Sequence, residues 1–287
     1  MNIENKTVIL TGASGGLGTQ LAKLLAARGA RLILVGRDED KLSKLVADIG
    51  DTAHQHCILT LDLSCIEGIR ELVEFCAGIP TGIDVLINNA GINHFSLQEN
   101  LREDEIEKLL FTNLISPVML TTRLIPLLAS RSSALIVNVG SVLGAIGNPG
   151  FATYGASKAG LARFSEALAR ELHDGPINVM QINPRSINTG MNSENVSQMN
   201  HELGIKSDSP EKVAMQILNR IVKGKSGITT LGWPEQLFVK LNALLPTLID
   251  QFFRKNLDLI KSSAVTSQLT HENEQTAPAD QPAYSRR

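Results

Sequence analysis

The 287-residue chain is poor in several things, and each shortage excludes a class of protein. It has three cysteines, Cys57, Cys65 and Cys76. The number is odd and no Cys-x-x-Cys spacing occurs, so neither a disulfide framework nor a zinc ribbon is expected; reduced thiols in a cytoplasmic setting are. Aromatic residues make up 4%, and no basic block or aromatic-interleaved basic stripe appears. Lysine plus arginine number 27 against 29 aspartate plus glutamate, and nucleic-acid binding is therefore excluded from the reading. The first residues, Met1 to Lys6, contain no apolar segment of a secretory signal. No run of about 18 uninterrupted apolar residues exists, so no membrane-spanning helix is expected. His54 and His56 lie two apart with no further ligand nearby in sequence, which reads as surface and not as a metal site.

What the chain does have is strand–helix alternation. Thr7-Val-Ile-Leu-Thr11 is a short β-branched, apolar run. It ends in Gly12-Ala-Ser-Gly-Gly16-Leu-Gly18, after which Leu17, Leu21, Leu24 and Leu25 recur at helical spacing up to Arg28-Gly29. Strand, glycine turn and helix in this order form a candidate pyrophosphate cradle, because glycines allow close backbone approach and a helix N-terminus offers unpaired N–H groups to an anion. The alternative is a flexible glycine loop. Arg31 to Val35 is a second buried strand, followed by Gly36-Arg37-Asp38. An acidic residue at that strand tip would suit a ribose 2′-hydroxyl, and an arginine suits a 2′-phosphate. Arg37 therefore favours NADP(H) over NAD(H); otherwise it is an exposed arginine before an Asp38 helix cap. Cys57 to Leu61 is the third strand. Asp62 at its end could accept from an adenine amino group or cap the helix of Ile66 to Phe75. Ile83 to Ile87 is the fourth strand, and the small residues of Asn88-Asn89-Ala90-Gly91 would let a cofactor lie against the backbone.

A long helical pattern spans 103–130. Asn113 sits in its apolar middle and needs partners; it could hold a water or be satisfied structurally. Pro117 marks a plausible local break. Ala134 to Val139 is the fifth strand and delivers Ser141. Tyr154 and Lys158 then fall four apart on the next helix, on one face. A free phenol has a pKa near ~10, and a nearby ammonium should lower it. Ser141, Tyr154 and Lys158 together are a constellation for moving a proton on or off an oxygen. Ile177 to Ile182 is the sixth strand, Ser186 to Gly204 has the composition of a mobile flap, a helix starts at Ser209-Pro210, and Gly227 to Leu231 is the seventh strand. Leu237, Phe238, Leu241, Leu244, Leu245, Leu248, Phe252 and Phe253 form an apolar stripe broken at Pro246. It must cover something: core, a subunit contact, an apolar substrate or a membrane surface. The expected organisation is one α/β domain over 1–232, an amphipathic helical extension of it over 233–261, and a disordered tail over 262–287.

With that frame, the chain resembles the short-chain dehydrogenase/reductases of the conventional short group. The resemblance rests on Thr11-Gly12-Ala-Ser-Gly-Gly16-Leu-Gly18, Asn88-Asn-Ala-Gly91, Asn113, Ser141, and Tyr154 with Lys158, in the family's order and at its intervals. It covers about residues 4–232. It implies a Rossmann-type doubly wound parallel sheet of seven strands in the order 3-2-1-4-5-6-7. It also implies roles. Tyr154 would be the general acid or base and Lys158 its tuner and a ribose ligand. Ser141 would orient the substrate oxygen, and Asn113 would anchor a water in a proton relay. Ser14, Gly16 and Leu17 would face the pyrophosphate, Asp62 the adenine, Asn89 and Ala90 the adenosine side, and Ile187 and Thr189 the nicotinamide amide and phosphates. Homodimers or homotetramers built on the helices around Asn113 and Tyr154 are implied too. One departure stands out: Pro184-Arg185 replaces the family's Pro-Gly, which would place bulk and charge beside the nicotinamide. There Arg185 has three possible partners: an acidic substrate, a cofactor phosphate or solvent.

The expected function is hydride transfer between NADP(H) and a carbonyl or alcohol, with a hydrophobic substrate suggested by the apolar stripe. A binding protein that does no chemistry, and an NAD-linked alcohol dehydrogenase, are the competing readings. Residues 234–260 leave peripheral membrane contact open.

Overall fold

The computed structural model describes residues 1–50, 56–224 and 226–265. Seven strands form one parallel sheet: β1 (Thr7–Thr11), β2 (Arg31–Gly36), β3 (Cys57–Thr60), β4 (Val85–Asn88), β5 (Ala134–Val139), β6 (Ile177–Asn183) and β7 (Gly227–Thr230). Their order is β3-β2-β1-β4-β5-β6-β7. The central strands are mostly apolar because both faces are covered; β1, β4 and β5 are buried at every residue. The helices are α1 (Gly16–Ala26), α2 (Glu39–Ile49), α3 (Ile66–Ala77), α4 (Glu103–Leu110), α5 (Ser116–Ala129), α6 (Ala152–Glu171), α7 (Glu194–Glu202), α8 (Pro210–Lys223), α9 (Glu235–Leu244) and α10 (Pro246–Lys255). Two apolar layers result. One includes Leu21 and Leu25 of α1 and Ile217 and Ile221 of α8, packed on one face of the sheet. The other includes Leu72 of α3, Leu120 and Leu124 of α5 and Leu168 of α6 on the opposite face.

Several expectations change. The break in the 103–130 helix is a π-helical turn over Phe111–Ile115, just before Pro117, whose missing N–H suits the start of α5. By length and mean hydropathy, Glu103–Ala129 is apolar enough to cross a membrane, although no uninterrupted apolar run is present; in the fold, Leu120, Leu124 and Leu128 turn into the core. The flap is not wholly irregular. Ser193 caps α7 by accepting from the Val196 N–H, and Val196 and Met199 bury its inner face. His56 is not a bare surface residue either: its Nδ1 accepts from the Leu32 N–H at 3.3 Å. His54 lies outside the described residues. Of the expected disordered tail, residues 262–265 continue a helix begun at 257, and the remainder lies outside the described residues.

The stripe beyond Trp233 divides between two surfaces. Neither α9 nor α10 contains a buried residue, and Leu237, Phe238, Leu244, Leu245, Leu248 and Phe252 are exposed. Phe253, with Ile260 and Ala264 of the following helical turn, instead packs inward on Phe95, Phe151, Val196 and Met199.

Candidate active site

In a parallel sheet every strand ends at the same edge, and the crevice opens where the strand order reverses. Here that point lies between β1 and β4. A cleft of about 690 Å³ runs along this edge, from Gly12, Arg37 and Asp62 at one end to Ser141, Tyr154 and Arg185 at the other.

The glycine turn is built around backbone closeness. Gly12 has φ +63°, and a Cβ there would sit 2.8 Å from the Ala90 Cα. A Cβ on Gly18 would meet the Gly12 carbonyl oxygen at 2.1 Å, and one on Gly16 would meet Thr189 Cγ2 at 2.8 Å. The Gly15 cap gives α1 no side-chain hydrogen bond, and its first turn holds no acid. The amides at its start are thus left for an anion. Leu17 sends its side chain into the core and still borders the cleft, as Ser14 does. These features fit a dinucleotide pyrophosphate.

Asn89 reaches back to this turn. Its Nδ2 donates to the carbonyls of Thr11 and Gly12, at 3.0 and 3.1 Å. The N–H groups of Asn89 and Ala90 both donate to Thr11 Oγ1, which passes its own proton to the Ile87 carbonyl. The hydroxyl's donor and both acceptor positions are all used. Asn89 therefore braces the turn with its side chain and borders the cleft beside Ala90 and Gly91.

At the adenosine end, Asp38 is occupied as the α2 cap. It accepts from the Lys41 N–H and pairs with the Lys41 ammonium at 2.8 Å. Arg37 is exposed and makes no ion pair among the described residues; burial alone would raise the Asp62 carboxyl, but the Ser64 hydrogen bonds and then the Arg37 and Lys108 charges together hold it below its ordinary value. Asp62 Oδ1 accepts from the Ser64 N–H at 2.9 Å, so it organises the turn ahead of α3 and does not occupy the cap position, which falls to Cys65.

The other end joins β5, the turn after it and α6. Ser141 begins a short helical turn and accepts from the Leu143 N–H. Tyr154 lies one turn before Lys158 on α6, with the ammonium 5.9 Å from the ring centroid. Burial pushes the Tyr154 phenol above its ordinary value, while its hydrogen bond with Ser141 pulls it down. The expectation of a lowered phenol is thus reversed. The physical reason is that the same dry wall penalises both charges, and it brings the Lys158 ammonium down to about 8. Lys158 Nζ donates to the Val139 carbonyl at 3.2 Å.

Asn113 is held in the π-turn. Its Oδ1 accepts from the Ile92 N–H and its Nδ2 donates to the Ile92 carbonyl, both at 2.9 Å, with a longer contact to Ser157 Oγ. The side chain is thus satisfied by protein, the structural alternative. Its Oδ1 and Lys158 Nζ flank Gly91 on one side, 3.1 and 3.4 Å from where a Cβ would stand. Ile187 and Thr189 enter the cleft from the start of the flap.

Two features escaped sequence reasoning. A buried amide chain braces the strand ends: Asn88 donates to Thr121 and Asn138, Asn138 to Ser165, Ser165 contacts Gln181, and Gln181 donates to Asn183. Alternating polar residues in otherwise apolar strands are the only trace of it. The second is Arg185. It borders the cleft near Ser141 and Tyr154, yet its charge is paired within the protein and is turned away from solvent. It is buried in a fork with Asp208 and also meets Glu235 and the Trp233 carbonyl.

Burial of Lys158 has a measurable consequence. Below about pH 8 the ammonium is charged in both folded and unfolded chains, and the folded one bears its burial. Between about 8 and 10 the folded chain has released that proton and the unfolded chain has not, so stability rises with pH. Above ~10 the raised phenol reverses the trend. The cofactor-free protein should gain up to about 3 kcal/mol in this window, and Lys158→Met should flatten the rise in denaturant melts taken across it.

A nucleotide-binding α/β fold with a hydroxyl, phenol and ammonium at its crevice defines a nicotinamide-type oxidoreductase class. The short chain dehydrogenase family profile matches residues 6–200, and the chain belongs to that family of dehydrogenase/reductases. Dehydrogenase/reductase SDR family member 7B of Bos taurus is 32% identical over 267 residues, 88% of this chain and 80% of that protein. The 3-oxoacyl-(acyl-carrier-protein) reductase FabG of Vibrio cholerae is 34% identical over 191 residues, 67% of this chain and 77% of that one. A solved short chain dehydrogenase/reductase family protein superposes with TM-score 0.71 at 27% identity, over 80% of this chain and 96% of the other. A Burkholderia phymatum short chain dehydrogenase/reductase in complex with NAD shares the fold, with TM-score 0.77 at 20% identity over 86% and 96%.

Proposed function

We propose that the protein interconverts a carbonyl and an alcohol with NADP(H), and that Tyr154 is the general acid in reduction and the base in oxidation. The observation that carries the reading is that Ser141, Tyr154 and Lys158 line one end of the crevice together, with Ser141 pulling the Tyr154 phenol down against its burial and Lys158 one helical turn away. When bound, NADPH supplies the hydride. Ser141 and Tyr154 hold the substrate oxygen, and the phenolic proton moves onto it as its charge develops. The raised phenol keeps its proton at neutral pH, and the loss of acid strength that comes with burial is what a charged Lys158 beside it must offset. Lys158, charged below about pH 8, favours the phenolate that is left and would hold the nicotinamide ribose when cofactor is bound. Asn113 fixes the Ile92 backbone beside Lys158 and supports the route by which the proton is replaced.

Arg37 supports NADP(H), since its exposed fork borders the cleft while Asp38 is consumed by Lys41. Arg37→Asp should weaken NADPH binding about 10- to 100-fold, the loss of a charge-assisted contact, and leave NADH binding within a few-fold. Titration calorimetry with both cofactors decides this; an unchanged NADPH preference would assign the discrimination elsewhere. A hydrophobic substrate is supported by Phe151, Leu143 and Val196 along the cleft and by the 3-oxoacyl chemistry in the name of the Vibrio cholerae relative. A homodimer or homotetramer in a cytoplasmic setting completes the proposal, supported by the apolar outer residue Ile115 and by free thiols at all three cysteines.

A further inference from the structure

Arg185 and its partners connect three parts of the chain that sequence keeps apart. The flap leaves β6 at Ser186 and returns at Asp208, where the two ends pair through Asp208 N–H to the Ser186 carbonyl and Asn188 N–H to the Asp208 carbonyl, both at 2.9 Å. Arg185 grips the return point: Nε and Nη2 donate to the two Asp208 oxygens at 2.8 and 2.7 Å. Its remaining nitrogen, Nη1, points the other way. It donates to the Trp233 carbonyl and to both Glu235 oxygens, all at 3.3 Å. Lys212 joins Asp208 at 2.7 Å, so two cations balance two anions. Arg185 and Asp208 are almost fully buried, and Arg185 and Glu235 both border the cleft.

The C-terminal extension has two further holds on the same site. Asn242 donates to the Ala145 carbonyl, just after the Ser141 turn. Phe253, Ile260 and Ala264 pack behind Phe95, Phe151 and the α7 residues Val196 and Met199, and Tyr154 touches this cluster. Phe151 and Val196 face the cleft. The apolar outer wall of the substrate space is therefore backed by the extension, which meets the flap twice: through the Arg185 guanidinium and through the packing of Val196 and Met199.

We propose that Arg185 is a positioning residue that couples the flap to the C-terminal extension, so that a dinucleotide held by Ile187 and Thr189 also sets the apolar outer wall of the substrate site. This rests on the cofactor reading above. Binding energy at the flap has a physical path outward, because Asp208 and Glu235 share one rigid planar fork and a shift of one misaligns the other. The wall that accepts an apolar tail is then completed only after cofactor has bound.

Hydrogen exchange read by mass spectrometry, with NADPH as the probe and NADH in a parallel run, tests this on the full chain. Glu235→Ala is the selective variant: Glu235 starts a helix with no buried residue, and Arg185 keeps its Asp208 fork. In the wild type, NADPH should slow exchange in 187–207 and, by about threefold or more, in 235–255. In Glu235→Ala the flap response should persist and that of 235–255 should fall to less than half. Arg185→Lys, which keeps charge but not the fork, should behave likewise. The KM for a long-chain ketone should rise about tenfold relative to that for a short one, with the ratio of kcat values unmoved. If neither cofactor slows the flap, the cofactor reading falls and the coupling with it. If the flap responds while 235–255 does not in the wild type, or if 235–255 responds in both variants as it does in the wild type, the coupling alone is overturned.

Discussion

Tyr154→Phe should lower kcat by about 10²–10⁴-fold, the range a positioned acid supplies, and change the NADPH dissociation constant less than threefold. The variant removes one oxygen. Phe keeps the ring that packs edge-on against Phe151 and keeps contact with the apolar cluster below, so the fold has no reason to yield. Ser141 retains the Leu143 N–H and could still hold a carbonyl oxygen. What is lost is the proton. Steady-state consumption of NADPH with a ketone or quinone panel, beside titration of NADPH binding, separates the two quantities. Full activity in the variant would remove Tyr154 from the mechanism; loss of binding in step with activity would make it a structural residue.

The second large effect lies at the other end of the cleft. Gly18→Ala places a Cβ 2.1 Å from the Gly12 carbonyl oxygen and 2.9 Å from the Ala13 Cα. Both are backbone atoms of the glycine turn, so no side chain can rotate away. Relief requires α1 to move off the turn, and α1 is seated by Leu17, Leu21 and Leu25 in the core. Overpacking of this kind typically costs about 1–3 kcal/mol, and backbone contact belongs at the upper end. For a chain of this size roughly 3 kcal/mol lowers Tm by about 6–12 °C. NADPH affinity should fall at least tenfold even where the variant remains folded, because the amides that face the pyrophosphate shift together. Thermal melts with and without NADPH show both effects; a variant with unchanged Tm and unchanged NADPH protection would mean the turn is far more compliant than its contacts imply.

Much of this architecture was legible because its signals are local. The glycine run after β1, the apolar strands and the Tyr154–Lys158 spacing are each contained within a few residues, and parallel topology follows from the alternation. What could not be read depends on burial or on distant partners. The direction of the Tyr154 shift needs the desolvation of a finished cleft, and helical spacing conveys only the proximity of an ammonium. Arg185 finds Asp208 and Glu235 at separations of 23 and 50 residues, so nothing beside it in sequence marks it as buried. The inner face of α7 was hidden because polar residues dominate the flap. The division of the final stripe between a covered and an open surface likewise depends on where Ile260 and Ala264 return to the cluster.

The wide turn over Phe111–Ile115 changes what a single helical rod can do. A regular α-helix advances about 100° per residue, so one extra residue in a turn rotates everything beyond it by that amount. Here α4 addresses α6, while α5, in line with it, addresses α3, β4 and β5. Two faces that no uniform helix would present in phase are served by one continuous segment, and the amide of Asn113 is aimed at Ile92 from the point where the phase slips. Removing any one of the other four residues of that turn would leave a smoother helix and a misdirected asparagine.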